Sequence, residues 1–437
     1  MRGGVTINYH TLNDFRVEHD AALDALFTSL LTALVDKGVI SVECVSQDGT
    51  RVRASAGSSS FRSGQRLREL HDTMAQHVQE VKRQMDPTVS AQQQRARERA
   101  AVEKLQRLEQ ALDELPSVEA ARARWTRGKQ RKTAARASTT DPEARVMKIG
   151  NQGYAPAYNV QVGTDTKSRA IVGIDVTNEG SDVHQSAPMR QQIERRMAAA
   201  EATLGRSVPR MKELLLDGGY ADAAEVRTAE EEGVTMYVPP RRRTVKAGDD
   251  PTTGVRASDP DHIKQWHERM STPKALAYKT LRGSTVETIN ADLKTHRAMN
   301  KFVVRGLPKV RCVALLSALA NSILTGSMFF VWGSVLRRTQ LVCVTLVALA
   351  LWLGGSQSMA ADALLYLSGA VAVGGLIVII VSARLLVRHI RLRLRPFFPA
   401  GSLKFSAYTY FDTVMVYFYV AIDTYFILFH FDKVTTP

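Results

Sequence analysis

Three acidic residues of this chain stand where a carboxylate could do chemistry. Asp48 follows the β-branched run Val39, Ile40, Val42, Val45 and precedes Gly49, while Asp217 follows Glu213-Leu214-Leu215-Leu216 and precedes Gly218-Gly219. Each reads as the end of an apolar strand, with glycine letting the backbone turn away and leaving the carboxylate on an open edge. Taken singly, Asp-Gly is also an ordinary turn dipeptide. Glu287 is the third acid. With Asn290 and Lys294 it shares one face of a helix expected over 274–296, whose apolar stripe Val286, Ile289, Leu293 would dock on a sheet. Carboxylates brought to one point repel unless cations sit between them, and oxygen donors without His or Cys nearby suit Mg²⁺ or Mn²⁺. Two such ions about 3.5–4 Å apart can activate a water or a 3′-hydroxyl and stabilise the leaving oxygen of a phosphodiester.

The elements that must position these acids can be read from periodicity. Leu12, Phe15, Leu23, Leu26, Phe27, Leu30, Leu31 and Leu34 give one amphipathic helix over 12–36, followed by the strand that ends at Asp48. Leu67, Leu70, Met74, Val78, Val81 and Met85, then a Pro87 break, then Val102, Leu105, Leu108, Leu112 and Leu115 before Pro116, predict an antiparallel helical hairpin. Period two returns with Tyr158, Val160, Val162 and Ala170, Val172, Ile174, Val176, a β-hairpin around the polar turn 164–168. A helix over 186–203, the strand before Asp217, a helix over 221–232 and a strand over 234–238 follow. The order is that of an α/β core with one insertion. Its two acidic strand ends fall on one edge of the sheet, where open α/β sheets place their chemistry.

Composition sets the partners. The chain has 437 residues, 58 Lys plus Arg against 43 Asp plus Glu, a net charge of +15 and 45% hydrophobic residues, which excludes wholesale disorder and a transporter along the full length. The average hides a split: 18 of the 30 aromatic residues lie from Met328 onward. In the body, the segment 122–148 gathers Arg122, Arg124, Arg127, Lys129, Arg131, Lys132, Arg136, Arg145 and Lys148 against Asp141 and Glu143. Such a run is either a solvated face or a seat for a polyanion, and Trp125 and Gly128 within it suit the latter. Cys44, Cys312 and Cys343 have no metal-ligand or disulfide spacing.

Several runs together resemble the DDE transposases of bacterial insertion sequences, in the branch with a Tyr/Arg/Glu/Lys signature around the last acid. They are Asn8-Tyr9-His10-Thr11-Leu12-Asn13-Asp14-Phe15-Arg16, Asp48-Gly49-Thr50-Arg51-Val52-Arg53, Ser138-Thr139-Thr140-Asp141-Pro142-Glu143-Ala144-Arg145, Tyr158-Asn159-Val160-Gln161, Asp217-Gly218-Gly219-Tyr220 and Trp266-His267-Glu268-Arg269-Met270. The resemblance covers roughly residues 3–325. It implies a ribonuclease H-like fold with a helical insertion after the first strand, Mg²⁺-dependent cleavage at transposon ends, transfer of the freed 3′-hydroxyl into target DNA, and a homodimer. Asp48, Asp217 and Glu287 match the metal-binding acids. Tyr278, Arg282 and Lys294 match the signature, with Tyr278 one residue farther from the Glu than usual and Lys294 expected on DNA phosphate. Arg124, Arg127, Lys129, Arg131 and Lys132 are the remaining DNA-binding candidates, by phosphate contacts that carry no sequence information.

Two departures accompany the resemblance. Similar transposases carry a helical segment ahead of the region that starts at Asn8, so the chain reads as a truncated copy. After residue 325 the likeness stops. Arg337-Arg338, an apolar stretch over 341–353 and Ser358-Met359-Ala360 read like a signal peptide, as if another reading frame began there. A charge-free segment over 363–383 followed by Arg384, Arg388, Arg391, Arg393 and Arg395 has the length of a bilayer span with its arginines in the cytoplasm, and 341–361 and 411–431 are further candidates. The expected division is 1–61 for the first helix and strand, 62–148 for the insertion arm, 149–325 for the rest of the core and 326–437 for an α-helical membrane tail anchoring a cytoplasmic body. The alternative is a catalytically silent, membrane-anchored DNA-binding or interaction protein derived from a transposase.

Overall fold

The computed structural model describes residues 19–83, 90–126, 134–150, 153–240, 255–256 and 258–326. The chain divides into units Met1–Ser322 and Ile323–Pro437, and the elements below belong to the first, with the last helix ending just past it. The candidate spans over 341–361, 363–383 and 411–431, and the run Asn8 to Arg16, lie outside the described residues.

Helix α1 (Asp20–Asp36) buries Leu23, Phe27, Leu31, Leu34 and Val35, the three-and-four spacing that puts one face on the core. Strand β1 (Cys44–Arg53) is the sheet's spine. It pairs antiparallel along its length with β5 (Tyr154–Asp165), from Val45 opposite Asp165 to Arg53 opposite Ala157. The far edge of β5 carries β4 (Arg145–Lys148) and then β6 (Ile171–Thr177), both antiparallel. On its other side β1 runs parallel to β7 (Glu213–Leu215), which is parallel to β8 (Thr235–Tyr237). The path β6, β5, β1, β7, β8 is a mixed α/β sheet consistent with a ribonuclease H-like core. Every residue of β5 from Pro156 onward is buried, as a strand covered on both faces requires.

Between β1 and β3 (Arg136–Ser138) the chain leaves the sheet. A short strand β2 (Phe61–Ser63), which pairs with β3, leads into α2 (Gly64–Arg83) and α3 (Ala91–Thr126). The two helices are antiparallel: Gly64 lies against Leu115, His71 faces Glu109 at 3.7 Å, and Gln94 donates to the Val81 carbonyl at 3.0 Å. Leu67, Leu108, Ala111, Leu115 and Val118 make a small core separate from that of the sheet. Pro116 does not end the helix as the sequence suggested; α3 runs through it to Thr126, losing one backbone hydrogen bond where proline has no N–H.

Helices α4 (Ser186–Leu204), α5 (Ala223–Glu231) and α6 (Asp261–Met270) complete the α/β layers. The single helix expected over 274–296 is three pieces: α7 (Pro273–Arg282), a wider π turn (Gly283–Glu287) and α8 (Thr288–His296). Helix α9 (Leu307–Gly326) is the one described helix long and apolar enough to cross a membrane, and half of it is buried in the fold. Cys312, Leu315 and Leu319 join the main core, Ser322 donates to the Ile171 carbonyl at 3.0 Å, and Arg311 pairs with Asp175. These contacts are those of a core helix.

Candidate active site

Strand β7 ends at Leu215, so beyond Ser46 the edge of β1 facing it is open. Asp48 stands on that edge. It is in the interior of β1, not at the strand end that the Asp-Gly dipeptide suggested, and the edge is open because the neighbour stops. Ser46 lies opposite Leu215 in the last pair of the parallel ladder, and Asp217, two residues past it, is near enough for its charge to act on Asp48. Asp217 does begin a turn: its Oδ1 accepts from the Gly219 N–H at 2.8 Å and caps the short 3₁₀ segment Gly218–Tyr220, a local side-chain bond that fixes where the carboxylate sits.

The α7–α8 segment brings the other groups. Asn290 donates through Nδ2 to Asp48 Oδ2 at 2.9 Å. The Arg282 guanidinium reaches two acids, Glu287 Oε1 at 2.6 Å and Asp48 Oδ1 at 4.0 Å. Arg282 and Glu287 are five residues apart and face each other because the π turn between them widens the helix. Lys294, one turn past Asn290, is half-buried and feels the charge of Asp48, while burial pushes its ammonium below the usual range. Asp48 itself is pushed up to about 6, chiefly by burial and next by the charge of Asp217, with Arg282 and Asn290 working the other way.

Beneath the acids lies a buried polar hub absent from the sequence reading. Asp182, in the loop before α4, accepts from Asn159 Nδ2 at 2.8 Å, Gln161 Nε2 at 2.9 Å and Arg51 Nη2 at 2.8 Å. Gln161 in turn accepts from Gln47 at 2.9 Å and from the Tyr220 hydroxyl at 2.5 Å. Gly49 is required by this hub and not by a turn, since a Cβ there would lie 2.1 Å from Asp182 Oδ1. The Ser138 to Arg145 run is likewise structural. Asp141 accepts from the Tyr158 hydroxyl at 2.7 Å and the Gly306 N–H at 3.2 Å, and Glu143 from the Leu307 N–H at 2.7 Å, together satisfying the start of α9. Arg145 binds Glu114 and Ser117 of α3, tying the helical arm to the sheet.

Tyr278 and Arg124 stand apart from the acids. The Tyr278 hydroxyl donates to Glu213 Oε2 at 2.6 Å, at the start of β7 and not at its Asp217 end, and its ring packs on Tyr237. Arg124 pairs with Glu179 at 3.1 Å. Arg127, Lys129, Arg131 and Lys132 lie outside the described residues.

Among the described residues no group of three or more His, Cys, Asp or Glu side chains is assembled to hold a metal ion. The donor set nevertheless suits a hard dication. Asp48 and Asp217 are close enough to raise the Asp48 pKa, and the Asn290 amide oxygen beside Asp48 is buried without a hydrogen-bond partner. A cation would relieve the repulsion and satisfy the orphaned oxygen.

Residues 131–322 match the family model described as a transposase DDE domain. That segment carries a transposase DDE domain, the domain of an enzyme class that cleaves DNA and transfers strands. The matched segment includes Asp217 and Glu287 and begins after Asp48, which β1 brings back beside it. No curated protein and no solved structure matches the chain.

Proposed function

We propose that the chain moves an insertion sequence by cutting DNA at the element's ends and joining the freed 3′-hydroxyl to target DNA, with Asp48, Asp217 and Glu287 as the acids of the reaction. The observation that carries this reading is Arg282 reaching both Asp48 and Glu287, with Asp217, just past the end of β7, near enough for its charge to act on Asp48. The three acids would hold Mg²⁺ or Mn²⁺, which when bound supplies activation of the attacking oxygen and charge stabilisation on the leaving one.

The chain's own residues do the rest. Asn290 orients Asp48 by its 2.9 Å hydrogen bond. Above about pH 6 the Asp48 carboxyl is ionised and available as a ligand. Arg282 balances the acids in the protein alone, and its release from Glu287 leaves that carboxylate free to turn toward Asp48. Lys294 places a positive charge on the face that carries Asn290, where a DNA phosphate would lie. The division at residues 61, 148 and 325, the homodimer and the membrane attachment of the tail belong to the same proposal.

Strand transfer tests it. A labelled duplex ending in the inverted repeat that flanks the coding region is incubated with supercoiled plasmid and Mg²⁺. Covalent label on the plasmid, lost with a 3′-deoxy end or with Asp217→Ala, is the expected result. Label appearing equally with the 3′-deoxy end refutes it.

A further inference from the structure

We infer that a cavity whose lining begins at Gly49, the residue after Asp48, is a seat for a backbone phosphate of the DNA strand next to the bond being cut; the inference deepens the transposase reading and rests on it. The cavity, about 380 Å³, is lined by Gly49, Arg51, Lys148, Ile149, Gly180 and Lys294, among others. It starts one residue from Asp48 along β1 and reaches Arg51, three residues on, a span of about 10 Å at the rise of an extended strand. A nucleic-acid strand advances about 3.4 Å per nucleotide, so a strand whose phosphate is presented to Asp48 passes this cavity within its next few nucleotides.

The lining is built for an anion. Cationic residues of three separate elements line the cavity: Arg51 from β1, Lys148 from the end of β4 and Lys294 from α8. Arg51 is held in place, with Nη1 donating to the Gly49 carbonyl at 3.2 Å and Nη2 to the Gly180 carbonyl at 3.1 Å and to Asp182 at 2.8 Å. Asp182 offsets part of its charge but is itself bound by Asn159 and Gln161. Lys148 is exposed and has no side-chain partner among the described residues. Lys294 likewise makes no hydrogen bond or ion pair among the described residues, and feels the charges of Asp48 and Arg51. Glycines at 49, 150 and 180 leave the wall without side chains, so a bulky phosphodiester can approach the backbone. The charge of Arg51 acts against that of Lys294, and a polyanion offsets the repulsion.

The test uses the full chain and a labelled 30-base-pair duplex, with EDTA present so that no cleavage occurs. Binding is measured between 50 and 200 mM KCl. Loss of one phosphate contact lowers the slope of log K against log salt by about 0.9, so Lys148→Ala should lose about 3.5-fold less affinity over that range than the wild type. Lys148→Arg should restore the wild-type slope. Because Lys148 is exposed, the variants fold. An unchanged slope in Lys148→Ala overturns the proposal. So does inorganic phosphate that stabilises the wild type but not Lys148→Ala, if the duplex slope is the same in both, because the seat then takes free phosphate. The two readings fail separately. A wild type that does not cleave in Mg²⁺ but shows the slope change keeps the phosphate seat and removes the enzyme proposal, and one that cleaves without the slope change does the reverse.

Discussion

Asn290 and Asp48 are 242 residues apart in sequence and 2.9 Å apart in the fold, the amide Nδ2 of one donating to the carboxylate Oδ2 of the other. This bond fastens the last acidic element, α8, to the first strand. It also shows what each contributes: β1 supplies a partly buried acid, and α8 supplies the groups that make its charge tolerable.

That burial has a measurable cost. Asp48 titrates at about 6 in the fold, above the ordinary carboxylate range. A raised folded-state pKa means that the group's favourable contribution is present below about pH 4 and is lost as pH rises through about 6. Asp48→Asn removes the penalty and keeps an oxygen for Asn290. The variant should be more stable than wild type at pH 7.5 by on the order of 3 kcal/mol, with the difference vanishing near pH 4. Urea midpoints at the two pH values measure this, and a less stable variant at pH 7.5 contradicts it.

Gly49→Ala tests the hub under the acids. Its Cβ would meet Asp182 Oδ1 at 2.1 Å and Gln161 Nε2 at 2.5 Å, both buried groups. Overpacking of this kind costs about 1–3 kcal/mol. Gly57→Ala, whose Cβ meets only Ser59 at 3.5 Å, should be near neutral. Equal denaturation midpoints for the two variants would remove the packing argument.

Arg145→Ala should loosen the helical arm without unfolding the sheet. Its guanidinium binds Glu114 and Ser117 of α3 from β4, and is mostly shielded from water. Losing a hydrogen bond to a charged group costs about 1.5–3 kcal/mol, which corresponds to roughly 10- to 100-fold more frequent opening. Limited proteolysis should therefore cut within 64–126 first, at a rate raised by that factor, while fragments of the sheet persist. Uniform digestion of both regions would place the tie elsewhere.

Much of the sheet was legible because its signals are local. The alternation of Tyr158, Val160 and Val162 against Ala170, Val172, Ile174 and Val176 is the hairpin of β5 and β6, and Asp217 caps the turn that Asp-Gly-Gly announces. The same dipeptide misled at Asp48, where glycine serves a distant carboxylate and the strand runs on to Arg53. Asp182 carries no local signature at all; it matters only because folding brings Asn159, Gln161 and Arg51 around it. The π turn at Gly283–Glu287 was hidden for a related reason. Its gain is the meeting of Arg282 with Glu287, a tertiary matter that periodicity of 3.6 does not report.

The central claim is that Asp48, Asp217 and Glu287 act as one site. Single-turnover cleavage of inverted-repeat DNA in Mg²⁺, run on Asp48→Asn, Asp217→Asn and Glu287→Gln beside the wild type, tests it most directly. Removing one ligand forfeits several kcal/mol of charge stabilisation, so each rate should fall by about 100- to 1,000-fold or more while DNA affinity changes little. A wild-type rate in any one of the three variants would contradict the account.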